Sequence, residues 1–432
     1  MSYLKDYKSL NEKFNLNEKK IELKEQFLKI YNIPFESFSY KVLPGEDKYR
    51  CNEHNRIFKN IHDFKSDLNA PYLNKILEVR DSKIQENIYF NYSVLQSLKP
   101  VKEKTSKDKD KRGKPKNKKP KREKPKGAII ILHGLNEKDW SKYLPWAKKL
   151  SELTGKSVIL FPIAFHMNRA PEEWIDPKLM NNVNRERKKF FPNLSNSSFA
   201  NAAISTRLQF YPQRFLWSGL QTYFDIIQLV KEIKSGFHPL IGKDERIDFF
   251  SYSVGSFLAM ILLMTNPYNC FNESKLFIFC GGPTLNRMSA SSKYIMDSEA
   301  NIAVYSYFIE HLEKELKKDE RLAHYFSKLH PVGNYFKSML DYHKMKDFRE
   351  KRLKEISKRI CALVLKEDIV VPPSEVMNTL KGAERKIPIK VKIMDFEYKY
   401  DHVVPFPLKE NIEKEVDRDF NKVFKYAAKH LK

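Results

Sequence analysis

From residue 127 onward, short solid apolar runs alternate with longer runs in which apolar residues return every three or four positions. "GAIIILHG" (127–134), "SVILFP" (157–162), "RIDFFS" (246–251), "KLFIFCGG" (275–282) and "ICALVLKED" (360–368) are of the first kind. A strand that is apolar on both sides is covered on both faces, which predicts a parallel sheet between layers of helices. "WSKYLPWAKKLSEL" (140–153), "SGLQTYFDIIQLVKEIK" (218–234) and "KENIEKEVDRDFNKVFKYAAKHL" (409–431) carry the helical period. "VGSFLAMILLM" (254–264) is apolar all round and predicts a central, buried helix. "IKVKIMDFEY" (389–398) alternates and predicts a strand with one wet face. The class that follows is α/β, with a mostly parallel sheet and helices on both faces.

Before residue 127 the pattern is less regular. Residues 18–31, "NEKKIELKEQFLKI", predict an amphipathic helix, and 75–97 predict a hairpin of two strands. Two later intervals, 163–217 and 283–358, break the alternation and read as inserted caps or lids. The second is expected to be helical, with Tyr305, Tyr307 and Phe308 turned towards an apolar cleft. The resulting division is an N-terminal extension over 1–74 and one α/β domain over 75–432.

Composition adds one feature. The formal charge is +25, and residues 101–126 hold 14 Lys/Arg against 4 Asp/Glu. With three prolines and a single apolar residue, Val101, that tract cannot bury enough surface to offset its ordering entropy. It predicts a disordered basic insertion over 99–126, suited to nucleic acid or an anionic membrane surface, or else merely solubilising. It lacks interleaved aromatics, so base stacking has no support. The opening "MSYLKDYKSL" is not a secretory signal, and the longest apolar run, 257–264, is too short to span a bilayer, so a cytoplasmic protein is expected. Cys51, Cys270, Cys280 and Cys361 read as scattered thiols. "CNEH" (51–54) has no second pair, and no metal or organic cofactor is expected.

The chemistry gathers where apolar runs end. In "FFSYSVGSF" (249–257) a strand runs directly into a helix with Ser253 at the corner. So sharp a turn strains the corner residue and needs tiny neighbours two positions away on either side. Ser251 and Gly255 supply them, whereas Phe249 excludes Ser251 from the same role. The pattern is the nucleophile elbow, with Ser in place of the first glycine.

Four sites in order resemble the α/β-hydrolase superfamily over roughly 75–432. "IIILHGLNE" (129–137) resembles the oxyanion loop, and "SYSVGS" the elbow. "ALVLKEDIVVPP" (362–373) resembles the loop of the acid, and "DHVVPFP" (401–407) that of the histidine. The resemblance implies an α/β-hydrolase fold and a triad of Ser253, His402 and Asp368, with Glu367 the alternative acid. It also implies oxyanion donors from the backbone of Val254 and of Leu135 or Asn136, with His133 shaping the loop. His166 lies just past a strand's C-terminal end and is a candidate for substrate binding. Arg207 and Arg214 suit either the steering of an acidic substrate or a solvated or lid-packing role. The activity implied is cleavage of a small-molecule carboxylic ester or related acyl substrate. A peptidase of the same fold, and a non-catalytic binding protein docked to an anionic partner, stay open.

Overall fold

The computed structural model describes residues 2–43, 70–99, 127–327 and 330–432. Its strands are β1 (Lys20–Leu23), β2 (Leu28–Glu36), β3 (Tyr89–Ser97), β4 (Ala128–Leu132), β5 (Ser157–Leu160), β6 (Ile247–Tyr252), β7 (Leu276–Phe279), β8 (Ile360–Leu365) and β9 (Lys390–Met394). They form one sheet in the order β1-β2-β3-β5-β4-β6-β7-β8-β9. The pairs from β5 to β9 are parallel, and β1, β2 and β3 join antiparallel.

The solid apolar strands sit where the pattern requires. In β4, Ile129 and Ile131 point into one core with Trp146 and Phe420. Ile130 and Leu132 point into the other with Trp217 and Ile261. Helices Arg214–Lys234 and Val254–Thr265 cover the second face, and helices Tyr3–Lys13, Tyr143–Thr154 and Glu413–Leu431 the first. This sheet between two helical layers is an α/β-hydrolase fold. No helix among the described residues is long and apolar enough to cross a membrane.

Two early elements differ from the pattern's prediction. Residues 20–36 are not a helix but the hairpin β1–β2, turning through Lys24–Gln26 with Phe27 at φ 51°. Ile21 and Leu23 in β1 and Leu28, Ile30 and Asn32 in β2 are buried at a period of two, with Phe35 buried beyond Pro34. The turn shifts the phase between the strands, and Phe27, 52% exposed, mimics a helical stripe without being buried. Residues 75–97 supply one strand, not two. Helix Pro71–Leu77 buries Leu73 and Ile76 against the first insert, and only β3 joins the sheet. The sheet therefore starts near residue 20, and residues 2–43 belong to the same body as the rest. Tyr3 packs on Phe406 and Phe420, and its N–H donates to Asp417 of the closing helix.

The second insert is helical: Ser298–Tyr305, Leu312–Lys318, Glu320–Phe326, Pro331–Leu340 and Lys346–Ile356. Its aromatics are arranged otherwise than expected. Tyr305 faces solvent, while Tyr307 and Phe308 are core residues, Phe308 lying against Phe215 and Phe336. A fully buried Arg187–Asp297 pair at 2.5 Å joins the first insert to the second. Ser97 and Ala128, which flank the basic tract, lie at the N-terminal edge of the parallel strands, opposite Ser253. The tract itself and "CNEH" lie outside the described residues, as do the expectations placed on them.

Candidate active site

The local sequence explains the corner at Ser253. Strand β6 ends at Tyr252 and helix Val254–Thr265 begins two residues later, so one residue makes the whole turn. Ser253 does so at φ 54°, ψ −128°, a conformation that costs a non-glycine residue on the order of 1–3 kcal/mol. The turn presses the helix onto the end of β4. A Cβ at position 255 would lie 2.4 Å from the Leu132 carbonyl oxygen and 2.6 Å from that of His133, so only glycine fits.

Two loops bring partners to this corner. The loop after β8 carries Asp368, and the loop after β9 carries His402. Ser253 Oγ donates to His402 Nε2 at 2.7 Å, and His402 Nδ1 donates to Asp368 Oδ2 at 2.7 Å. All three side chains are buried. The other carboxylate oxygen of Asp368 accepts from the N–H groups of Val370 and Val371 at 3.0 and 2.9 Å, which fixes its plane. Glu367, the alternative acid, is exposed and its carboxylate lies within ion-pair range of Lys366. The Tyr252 ring stacks on His402 with centroids 5.4 Å apart, and its hydroxyl donates to the His402 carbonyl. Burial pushes the Tyr252 phenol well above its ordinary pKa, so it remains a neutral donor.

The loop after β4 passes alongside. A Cβ on Gly134 would stand 3.4 Å from Ser253 Cβ. The Gly134 N–H is already engaged, donating to Tyr143 Oη at 3.1 Å, and Tyr143 in turn donates to Glu137 at 2.9 Å. Glu137 also pairs with Lys142, whose ammonium donates to the Val403 carbonyl beside His402 at 3.2 Å. By contrast, the N–H groups of Leu135 and Val254 donate to no described group. Asn136, at φ 62°, donates from its side chain to the carbonyls of Ala200 and Tyr294, pinning both inserts onto this loop. His133 is a strut. It accepts from the Ile163 N–H at 2.9 Å and donates to the Gly134 carbonyl at 2.8 Å, and burial pushes its pKa well below 6.5.

Around these groups lies a cavity of about 190 Å³ lined by Ser253, His402, Asn136, Lys138, Tyr294 and Val403. His166 is not in that wall. It lines two neighbouring cavities, both shared with Leu135. His166 donates from Nδ1 to the Ala164 carbonyl at 2.9 Å, which leaves Nε2 a lone pair, and that buried atom has no partner among the described residues. Burial depresses its pKa to about 4. Arg207 lines the more polar of these cavities, tied to Asp81 at 2.5 Å and seated over the Trp174 ring at 4.1 Å. Arg214 holds the other oxygen of Asp81 at 3.0 Å. Lys138, half-buried beside Glu137, has its pKa lowered to about 8 by burial.

Sequence reasoning missed Glu137, Lys142 and Tyr143. The only signal for them was their closeness to "HG" in the chain. Among the described residues no cluster of His, Cys, Asp and Glu has the arrangement of a metal site.

A family model described as "Family of unknown function (DUF6051)" matches residues 1–108 and 115–432. The chain belongs to that family. A search of curated proteins finds no match. Among solved structures, carboxyl esterase 2 from the mycorrhizal fungus Tuber melanosporum is similar with TM-score 0.43 and 8% identity, over 79% of this chain and 81% of that one. The S-formylglutathione hydrolase from Agrobacterium tumefaciens has TM-score 0.41 and 12% identity, over 80% and 91%. A thermostable esterase from Pseudomonas putida has TM-score 0.39 and 10% identity, over 80% of each chain. Likeness this low says nothing of what the DUF6051 chain acts on.

Proposed function

We propose that this DUF6051 protein is a serine hydrolase that cleaves a carboxylic ester or related acyl substrate through an acyl-enzyme. The observation that carries the reading is the unbroken line Ser253–His402–Asp368, with two 2.7 Å hydrogen bonds on a strained strand-to-helix corner. A serine hydroxyl is a weak nucleophile until a base takes its proton. As Ser253 Oγ attacks the carbonyl carbon, its proton passes to His402 Nε2. Asp368 holds the Nδ1–H tautomer and stabilises the imidazolium. The carbonyl oxygen becomes an oxyanion facing the Val254 and Leu135 N–H groups, each worth ~10²–10³ in rate. His402 then protonates the leaving alkoxide, and the alcohol departs. Water attacks the acyl-enzyme with His402 again as base, releasing the acid and restoring Ser253.

A fluorophosphonate probe followed by mass-spectrometric site mapping tests this. Labelling is expected on Ser253 and is expected to vanish in Ser253→Ala and fall sharply in His402→Ala. Labelling on another serine, or none on the folded protein, overturns the proposal.

A further inference from the structure

Behind the two proposed oxyanion donors lies a second cavity of a different character. Leu135 and Val254 line it, and Leu135 also lines the cleft that holds Ser253 and His402. The rest of its wall comes from Ile163 and His166 in the segment after β5, helix Arg214–Lys234, helix Val254–Thr265 and two residues of the second insert, Val332 and Phe336. Of its polar side chains, Ser218 donates to the Phe215 carbonyl and Tyr223 to Thr265 Oγ1; the third is His166. The remaining wall residues present only apolar side chains or, at Gly219, none.

Gly219 is the telling position. It sits in the first half of a 21-residue helix, where glycine costs about 1 kcal/mol relative to alanine. Close packing usually repays that cost, as at Gly255. At Gly219 a Cβ would meet no described atom within 4 Å, and the residue has no positive φ. The missing side chain therefore lets no neighbour approach and makes no turn. What it does is leave open the wall of this cavity.

We infer that the cavity is the acyl-chain site, kept open by Gly219, and that the substrate is an ester of a short to medium apolar acid. The inference rests on the hydrolase reading above. A carbonyl oxygen held between the Leu135 and Val254 N–H groups places its acyl chain beside the side chains of those residues and so at the cavity. The leaving group stays in the polar cleft with His402, Tyr294 and Val403. At about 60 Å³ the cavity has room for roughly four to six water- or methylene-sized groups beyond the carbonyl.

The test uses p-nitrophenyl acetate, hexanoate and dodecanoate with the full-length wild type, Gly219→Ala and Gly219→Leu. Wild type is expected to prefer hexanoate in kcat/KM. Gly219→Leu is expected to lose ~10–200-fold on hexanoate, the scale of a filled apolar pocket, while acetate stays within about twofold. Gly219→Ala should fall between. Hexanamide, which needs no chemistry, should raise the Tm of wild type and of Ser253→Ala alike but not that of Gly219→Leu. An unchanged chain-length profile in Gly219→Leu, or equal loss on acetate and hexanoate, overturns the proposal. So does a hexanamide shift that survives in Gly219→Leu, or its absence in wild type. If hexanamide binds as expected but no ester is turned over and Ser253 takes no probe, the cavity stands and the hydrolase reading falls.

Discussion

The two walls of the candidate site are built on opposite principles. On the side of Gly134, Glu137, Lys142 and Tyr143, polar atoms are chained together: N–H to phenol, phenol to carboxylate, carboxylate to ammonium, ammonium to the carbonyl next to His402. On the side of Gly219, Leu220 and Ile261 there is shape and almost no polarity. A hydrogen-bond chain fixes positions because each broken link strands a buried polar group. An apolar wall fixes only volume and tolerates exchange of residues of similar size. On the hydrolase reading proposed above, the polar wall would hold the reacting atoms and the apolar wall would select what reaches them.

The largest effect should come from the proposed triad, where both walls meet. Ser253→Ala is expected to lower turnover of p-nitrophenyl acetate by ~10⁴–10⁶ with an unchanged circular dichroism spectrum, and Asp368→Asn by ~10⁴. Glu367→Gln should leave turnover nearly unchanged; the reverse ranking would move the acid by one residue. One step smaller, Glu137→Gln weakens the polar wall without touching the triad. It should lower kcat about tenfold with KM nearly constant, because the loop beside Ser253 loses its anchor. An unchanged kcat would mean the backbone alone holds the loop.

A third prediction concerns acid. His133 and His166 are buried and held neutral, with His166 depressed from 6.5 to about 4. As pH falls through 6.5 the unfolded chain takes up these protons and the folded chain does not. The stability that the two neutral histidines contribute is therefore complete above about 6.5 and declines as the pH falls, His166 losing its share, roughly 3 kcal/mol, by about 4. Denaturant unfolding across this window should show the slope, and His166→Gln should flatten it by one proton. An equal slope in both proteins would count against a neutral, buried His166. The smallest effect belongs to the apolar wall. Gly219→Ala should stabilise the fold by about 0.5–1 kcal/mol, since the helix gains and nothing clashes. Destabilisation would mean that the space at Gly219 is occupied.

The strand-to-helix corner at Ser253 was legible because its signal is local. A buried strand, a corner serine, Gly255 and an apolar helix are adjacent in the chain, and the collision that requires Gly255 is set by the turn itself. The parallel core was legible for a similar reason: strands covered on both faces must be solid apolar runs. The hairpin β1–β2 was not, because an edge hairpin with one wet face and a turn that shifts its phase carries a period close to a helix's. Nor could the aromatics of the second insert be ranked, since Tyr305, Tyr307 and Phe308 are near neighbours of similar chemistry, and the packing of separate helices decided which faced solvent.

By itself, then, the sequence determined the layered α/β architecture, the corner at Ser253 and the order of the loops that carry Asp368 and His402. Each of these depends on covalent neighbours or on the periodicity of a single element. Tertiary structure alone decided that Asn136 pins both inserts and that Tyr143, Glu137 and Lys142 form one chain. It alone decided that the bare backbone of Gly219 opens onto a cavity behind Val254. Those facts depend on distances between elements far apart in the chain, which sequence spacing does not encode.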